Sequence, residues 1–118
     1  ATGLAEPQRL IVGRDAVAGA AAAVALPGVD AVFAANDAHA IGLLAGLRAA
    51  GLARPGPDQA VAVIGLGDLE MGRLIEPRLS TVRVHGAAIG RAAACLLLDH
   101  AGPRRIDLGF ELVLRESG

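Results

Sequence analysis

No lysine occurs among the 118 residues; all 11 basic side chains are arginine. That absence removes Schiff-base and pyridoxal-phosphate chemistry, P-loops and phosphoryl-receiver domains, each of which needs an amine at a fixed place. A single cysteine, Cys95, excludes an internal disulfide. Set in a strongly apolar run with no acid or base beside it, Cys95 reads as a small core residue rather than a thiolate nucleophile. No apolar run approaches the ~20 residues that span a bilayer, and nothing resembles a signal segment, so the expectation is a cytoplasmic protein with no membrane partner. A net charge of −1 gives no single-sign field to hold this segment on nucleic acid.

What is present is apolar. With 53% hydrophobic residues in 118, one domain, or part of one, has ample material for a core. The chain opens on Ala1 without a methionine, so a processed or excised piece is expected.

Short β-rich runs alternate with helical patterns. Residues 9–13 read as a strand, and Asp15 then starts a helix over 16–26 that Pro27-Gly28 stops. Residues 31–35 form a second strand, followed by a helix over 37–50 in which Ile41, Leu44 and Ala45 recur at helical spacing before Gly51. After the turn-rich 54–58, Ala60-Val-Ala-Val-Ile64 is apolar without alternation, as a parallel strand covered on both faces would be. A short helix to about Ile75, a strand over 79–84, a helix over 87–100 with an Ile89/Ala92/Ala93/Leu96/Leu97 stripe, and an extended tail over 105–115 complete the order. This βαβαβαβαβ order predicts an α/β fold: an open, doubly wound, mostly parallel sheet with right-handed crossovers.

Asn36-Asp37 ends a buried strand and opens a helix, so Asn36 is placed to cap orphan N–H groups and Asp37 to meet the positive helix end. Arg14-Asp15, Asn36-Asp37 and Gly67-Asp68 each follow a predicted strand, and a parallel order brings all of these turns to one sheet edge, where ligands bind in such folds. The set offers a guanidinium fork for carboxylate, an amide, carboxylates for hydroxyls, and a glycine for close approach, which suits a small polar polyol or acid. Helix capping by the acids is the plainer role, and Asp15 and Asp37 fit it in either case.

Other constellations are weaker. Gly65-Leu-Gly67-Asp68-Leu-Glu70 begins like a dinucleotide turn, yet Glu70 stands where the third glycine belongs and would face a pyrophosphate; no cofactor is expected. His39, His85 and His100 lack metal-binding spacing and read as surface or cap residues, His100 at a helix C-terminus. Asp68, Glu70 and Glu76 surround a short exposed helix, where charges are ordinarily solvated, so no catalytic pair is assigned.

Taken together, Asp30-Ala-Val-Phe-Ala-Ala-Asn36-Asp37 with Ile41-Gly42, then 61–68, Glu76-Pro-Arg-Leu-Ser-Thr-Val-Arg83, Ile89-Gly90-Arg91 and Leu112-Val-Leu-Arg115-Glu-Ser117 resemble the effector-binding domain of LacI/GalR-type transcriptional repressors. Glu76-Pro-Arg-Leu and Asp107-Leu-Gly-Phe-Glu111-Leu are similar in particular to the gluconate-utilisation repressors. The resemblance implies a periplasmic-binding-protein-like fold of which 1–118 is the C-terminal lobe plus crossover segments, with the DNA-binding headpiece and most of the N-terminal lobe outside it. It implies an effector, a sugar or sugar acid such as gluconate, bound by Arg14, Asn36, Asp37, Gly67 and Asp68. Many sugar-binding members have an acid where Gly67 stands; Arg14 falls near their aromatic stacker, for which this chain has no Trp or Tyr. It implies a homodimer through Ile41, Met71 and Ile75, DNA binding only through the headpiece, and no enzyme activity. It also implies that the 87–100 helix packs on the other lobe, leaving its stripe open in this chain. A periplasmic sugar-binding protein of a transporter, or a nicotinamide-dependent enzyme using 65–72, are the alternative readings.

Overall fold

The computed structural model describes residues 3, 6–26, 28–52, 61–99, 102 and 104–118. The 54–58 turn, Ala60, Pro27, His100 and Pro103 lie outside the described residues. Helix α1 (Ala16–Ala22) runs on into a 3₁₀ turn at Ala23–Ala25. Strand β1 (Ala31–Phe33) leads into α2 (Asp37–Ala49), and β2 (Ala62–Leu66) into a 3₁₀ turn at Glu70–Arg73. Strand β3 (Ser80–Val84), helix α3 (Gly86–Leu98) and β4 (Phe110–Val113) follow.

The sheet order is β1-β2-β3-β4, with β1, β2 and β3 mutually parallel and β4 antiparallel to β3. This is the expected open, mostly parallel α/β sheet. In register, Val32 stands beside Val63, Gly65 beside Thr81, and Arg83 beside Glu111.

Helix ends follow local chemistry. Asp15 and Asn36 are the N-caps of α1 and α2, each accepting from the backbone N–H three residues on, at 2.8 Å. At the C-terminus of α2, Gly51 adopts φ +73 and the Leu52 N–H reaches the Leu47 carbonyl, the hydrogen bond of a Schellman stop. Helices α1 and α2 touch backbone to backbone, because a Cβ on Gly42 or Gly19 would collide with the Ala16 or His39 carbonyl. Leu43, Leu44 and Leu47 of α2 then pack with Val63 and Leu79 as the core. Ser117 closes the end of the chain: its hydroxyl donates to the Val63 carbonyl and accepts from the Ser80 N–H.

Three expectations need correction. Residues 9–13 form no strand; a strand exists only with a hydrogen-bonded neighbour, and Ile11 is 81% exposed. Among the described residues a helix covers β2 on one face, not two, and Ala62, Ile64 and Leu66 on the other face are half-buried. Val63 is buried under the helices, whereas the opposite face of the sheet carries Phe33 (64% exposed) and Phe110 (73%), with Leu112 and Val84 also exposed. Cys95 is exposed rather than core, since α3 buries none of its residues and its apolar stripe is open, as the resemblance implied.

Candidate functional site

The site grows from the ends of β1 and β2. Strand β1 ends at Phe33, and Asn36 takes extended backbone angles before α2 begins. Its Oδ1 accepts from the His39 N–H at 2.8 Å, which leaves the amide NH₂ without a partner among the described residues. Asn36 is half-buried, so a donor pair points from a fixed cap without being sealed off.

The adjacent Asp37 is 1% exposed and turns inward. Its Oδ1 accepts from the Thr81 hydroxyl and its Oδ2 from the Leu69 N–H, both at 2.6 Å. Gly65 makes room for this carboxylate: a Cβ there would collide with Asp37 Oδ1. The glycine that suggested a dinucleotide turn is therefore occupied by a side chain of the same protein.

The turn after β2 bends through Gly67 at φ +133 and Asp68 at φ +57, the second a left-handed conformation that Asp tolerates better than most residues. The Gly67 N–H donates to the Val82 carbonyl at 2.9 Å, and the Asp68 N–H reaches Thr81 Oγ1 at 3.4 Å. The two strand-end turns are thus tied together through Asp37 and Thr81.

Asp68 is not the solvated charge expected of it. Its side chain is 4% exposed and receives Arg115 Nη2 at 2.6 Å, with Arg73 Nη2 and Arg83 Nε both at 2.7 Å. Arg83 also donates to Glu111 at 2.8 Å, and Arg115 to the Leu79 carbonyl at 2.6 Å. Burial works to raise the Asp68 carboxyl, but hydrogen bonds from Arg115, Arg73 and Arg83 outweigh it and hold the group well below the usual carboxylate range. In turn, the hydrogen bond that Arg83 donates to Asp68 raises the guanidinium further above its ordinary value. The arginines were missed because they lie on β3, after β4 and beyond the turn; a charged residue at an inward register position of a sheet strand, as Arg83 is, was the available signal.

Arg14 is exposed, precedes the Asp15 cap, and has no ion pair among the described residues. The structure joins Asp37 to the Gly67-Asp68 turn through Thr81 and through the next residue, Leu69, whereas Arg14 is linked to them only through the packing of α1 on α2. Of the apolar positions, Ile41 and Ile75 lean on the core and Met71 is 57% exposed.

A groove of about 920 Å³ lies between residues 6–12 and β1. It reaches Ala35 and His39, whose Nε2 is sealed from water without a partner among the described residues, but none of the turn residues above. His39 is therefore not a surface histidine. Among the described residues no cluster of ligands could hold a metal, and no helix is long and apolar enough to cross a membrane.

Comparison with known proteins is consistent with this geometry. The family model of the periplasmic binding protein-like domain matches residues 1–117. The chain is 36% identical over 92 residues to the lactose operon repressor of Rhizobium radiobacter, a match covering 75% of this chain and 79% of that one. It is 40% identical over 96 residues to the HTH-type transcriptional regulator GntR of Pseudomonas aeruginosa, covering 77% of this chain and 27% of that protein. Among solved structures, a LacI family transcriptional regulator from Arthrobacter sp. FB24 in complex with lactose superposes with a TM-score of 0.75 at 36% identity, over 90% of this chain and 42% of that one. The chain thus spans about a quarter of the length of the Pseudomonas protein and under half of the solved regulator.

Proposed function

Because the chain belongs to the periplasmic binding protein-like domain family, in the branch formed by the LacI/GalR-type regulators, we propose that it is the effector-sensing C-terminal lobe of a cytoplasmic transcriptional repressor. The observation that carries this reading is Asn36. It is a half-buried, helix-capping amide at the C-terminal edge of a parallel sheet, its NH₂ without a partner among the described residues, and its neighbour Asp37 is bonded to Leu69 just after the Gly67-Asp68 turn. Such an arrangement can bind and orient a hydroxylated ligand, which supports a sensing role.

Residues 1–118 are the C-terminal part of the effector-binding domain, and DNA is contacted through a headpiece elsewhere in the protein. Effector shifts the balance between two lobe arrangements by binding one better than the other. In this reading Asn36 meets effector hydroxyls, Gly67 lets the ligand approach the backbone, and Arg14 takes the carboxylate of a sugar acid of the gluconate type. Asp37 and Asp68, whose oxygens are engaged internally, shape the wall. Two copies pair through the surface bearing Met71, with Ile41 and Ile75 behind it.

The test is calorimetry on the full-length natural protein with gluconate, lactose, cellobiose and ribose in separate titrations, followed by operator binding with and without the compound that binds. Saturable binding that is weakened in Asn36→Ala, together with a change in operator affinity, is the expected result. Binding of a dinucleotide instead, or none of these sugars altering operator affinity, overturns it.

A further inference from the structure

Asp37 does more than start a helix. Its carboxylate is buried and both oxygens are committed, one to Leu69 at the head of the 70–73 turn and one to Thr81 in β3. Neither partner belongs to its own helix; they lie 32 and 44 residues away in sequence. Thr81 Oγ1 in turn lies within reach of the Asp68 N–H, and Asp68 grips Arg83 on β3 and Arg115 just past β4. A continuous line of hydrogen bonds therefore runs from the residue next to Asn36, across β2 at Gly65, to the far strands.

We propose that Asp37 is a positioning residue that couples Asn36 to the Leu69 turn and to β3, so that ligand engaged at Asn36 is reported on the far side of the sheet. The inference rests on the effector-site reading of Asn36. The physical case is that the first turn of α2 cannot shift without moving Asp37. Its short charge-assisted bonds, about twice as strong as neutral ones, are what link that turn to the rest. Gly65 is part of the device: any side chain there would displace the carboxylate from over the strand. Leu69 leads to exposed Met71, and β3 leads into α3, so the two outputs run toward surfaces that have partners to gain.

The experiment is amide exchange and nitrogen-15 NMR on the full-length natural protein with Thr81→Val, which keeps shape and removes the hydroxyl, and with Thr81→Ser, which keeps the hydroxyl. Expected in Thr81→Val are a shifted Asn36 side-chain amide and Leu69 exchange faster by about ten-fold, both restored in Thr81→Ser. Added gluconate is expected to move resonances of Leu69 and Arg83 in the parent chain, and only those of the first turn of α2 in Thr81→Val. A folded Thr81→Val whose Asn36 amide and Leu69 exchange match the parent overturns the proposal, as does gluconate still moving Arg83 in that variant. If gluconate moves nothing in the parent, the effector reading fails for that ligand while the Asn36 and Leu69 readouts still decide the coupling. Should Thr81→Val not fold, Thr81→Ala gives the same comparison.

Discussion

Arg115 Nη2 lies 2.6 Å from Asp68 Oδ1 although 47 residues separate the two in the chain. Arg115 is 13% exposed and Asp68 4%, so the pair is largely out of water and is bonded further, to Arg73, Arg83 and the Leu79 carbonyl. Taking away one partner of such a set leaves charge stranded, which costs about 3 kcal/mol in comparable settings.

Stability should therefore depend on pH through Asp68. Its carboxyl is held below its ordinary value of 3.8, so the folded state binds fewer protons than the unfolded state. The contribution is present in full above that value and is lost as pH falls below it toward the folded value. Glu116 is also lowered by its hydrogen bond from Arg78 and titrates in the same direction, so the comparison must cancel it. Urea unfolding of the parent and of Asp68→Asn does so. The variant is expected to be weaker by about 2 kcal/mol near pH 6, with the gap closing below about pH 4. A gap that stays constant across that range contradicts the assignment.

The caps at Asp15 and Asn36 and the stop at Gly51 were legible because each depends on residues within a turn of one another, and the parallel order because strand and helix patterns alternate along the chain. The Asp68 cluster was not, since Arg83 and Arg115 reach it from 15 and 47 residues away. The strand expected at 9–13 failed for a related reason: Leu10 is apolar and Ile11 and Val12 are β-branched, as in a strand, but pairing is a property of two segments. The unbroken apolar run at 60–64 marked a strand, but the cover expected over both of its faces is present on one among the described residues. Only its Val61/Val63 face meets a helix, which leaves the other face with Phe33, Leu112 and Phe110 open. Asp37 was read from its neighbour Asn36 as part of the helix start, whereas Gly65 held the sign of its inward turn.

Gly42 and Gly90 should respond oppositely to the same change. Alanine is favoured over glycine inside a helix by about 1 kcal/mol. At Gly90 on α3 a Cβ would meet open space, so Gly90→Ala is expected to stabilise by about that amount. At Gly42 the Cβ would meet the Ala16 backbone, forcing α1 from α2, and a loss of about 3 kcal/mol is expected. Thermal unfolding of both variants checks the contrast, and a neutral Gly42→Ala would mean that the helices are not in backbone contact.

The 118-residue chain should self-associate. Met71 and Leu74 project from the 70–73 turn and its end, and the open sheet face adds Phe33 and Phe110, a combination monomeric surfaces rarely leave uncovered. Multi-angle light scattering is expected to give a dimer or larger species, with Met71→Glu lowering the mass if the turn supplies the contact. A monomer with no concentration dependence would remove the proposed interface. A mass unchanged by Met71→Glu would place the contact on the sheet face instead.

Arg14 separates a sugar acid from a neutral sugar. It is exposed, lies just before the α1 N-terminus and has no carboxylate partner among the described residues, so its fork remains open for a ligand carboxylate. Replacing it by alanine leaves Asp15 to cap α1 and should change stability little, since surface side chains away from such features contribute within about 0.5 kcal/mol. For gluconate, loss of the charge-assisted contact is expected to weaken binding about ten-fold or more. A neutral sugar that binds the same site should lose almost nothing. Calorimetry on the full-length natural protein and its Arg14→Ala variant, with gluconate and lactose side by side, reads both. Undiminished gluconate affinity in the variant would sink the role of Arg14. Equal losses for gluconate and lactose would assign the residue to shaping the site and not to reading the acid.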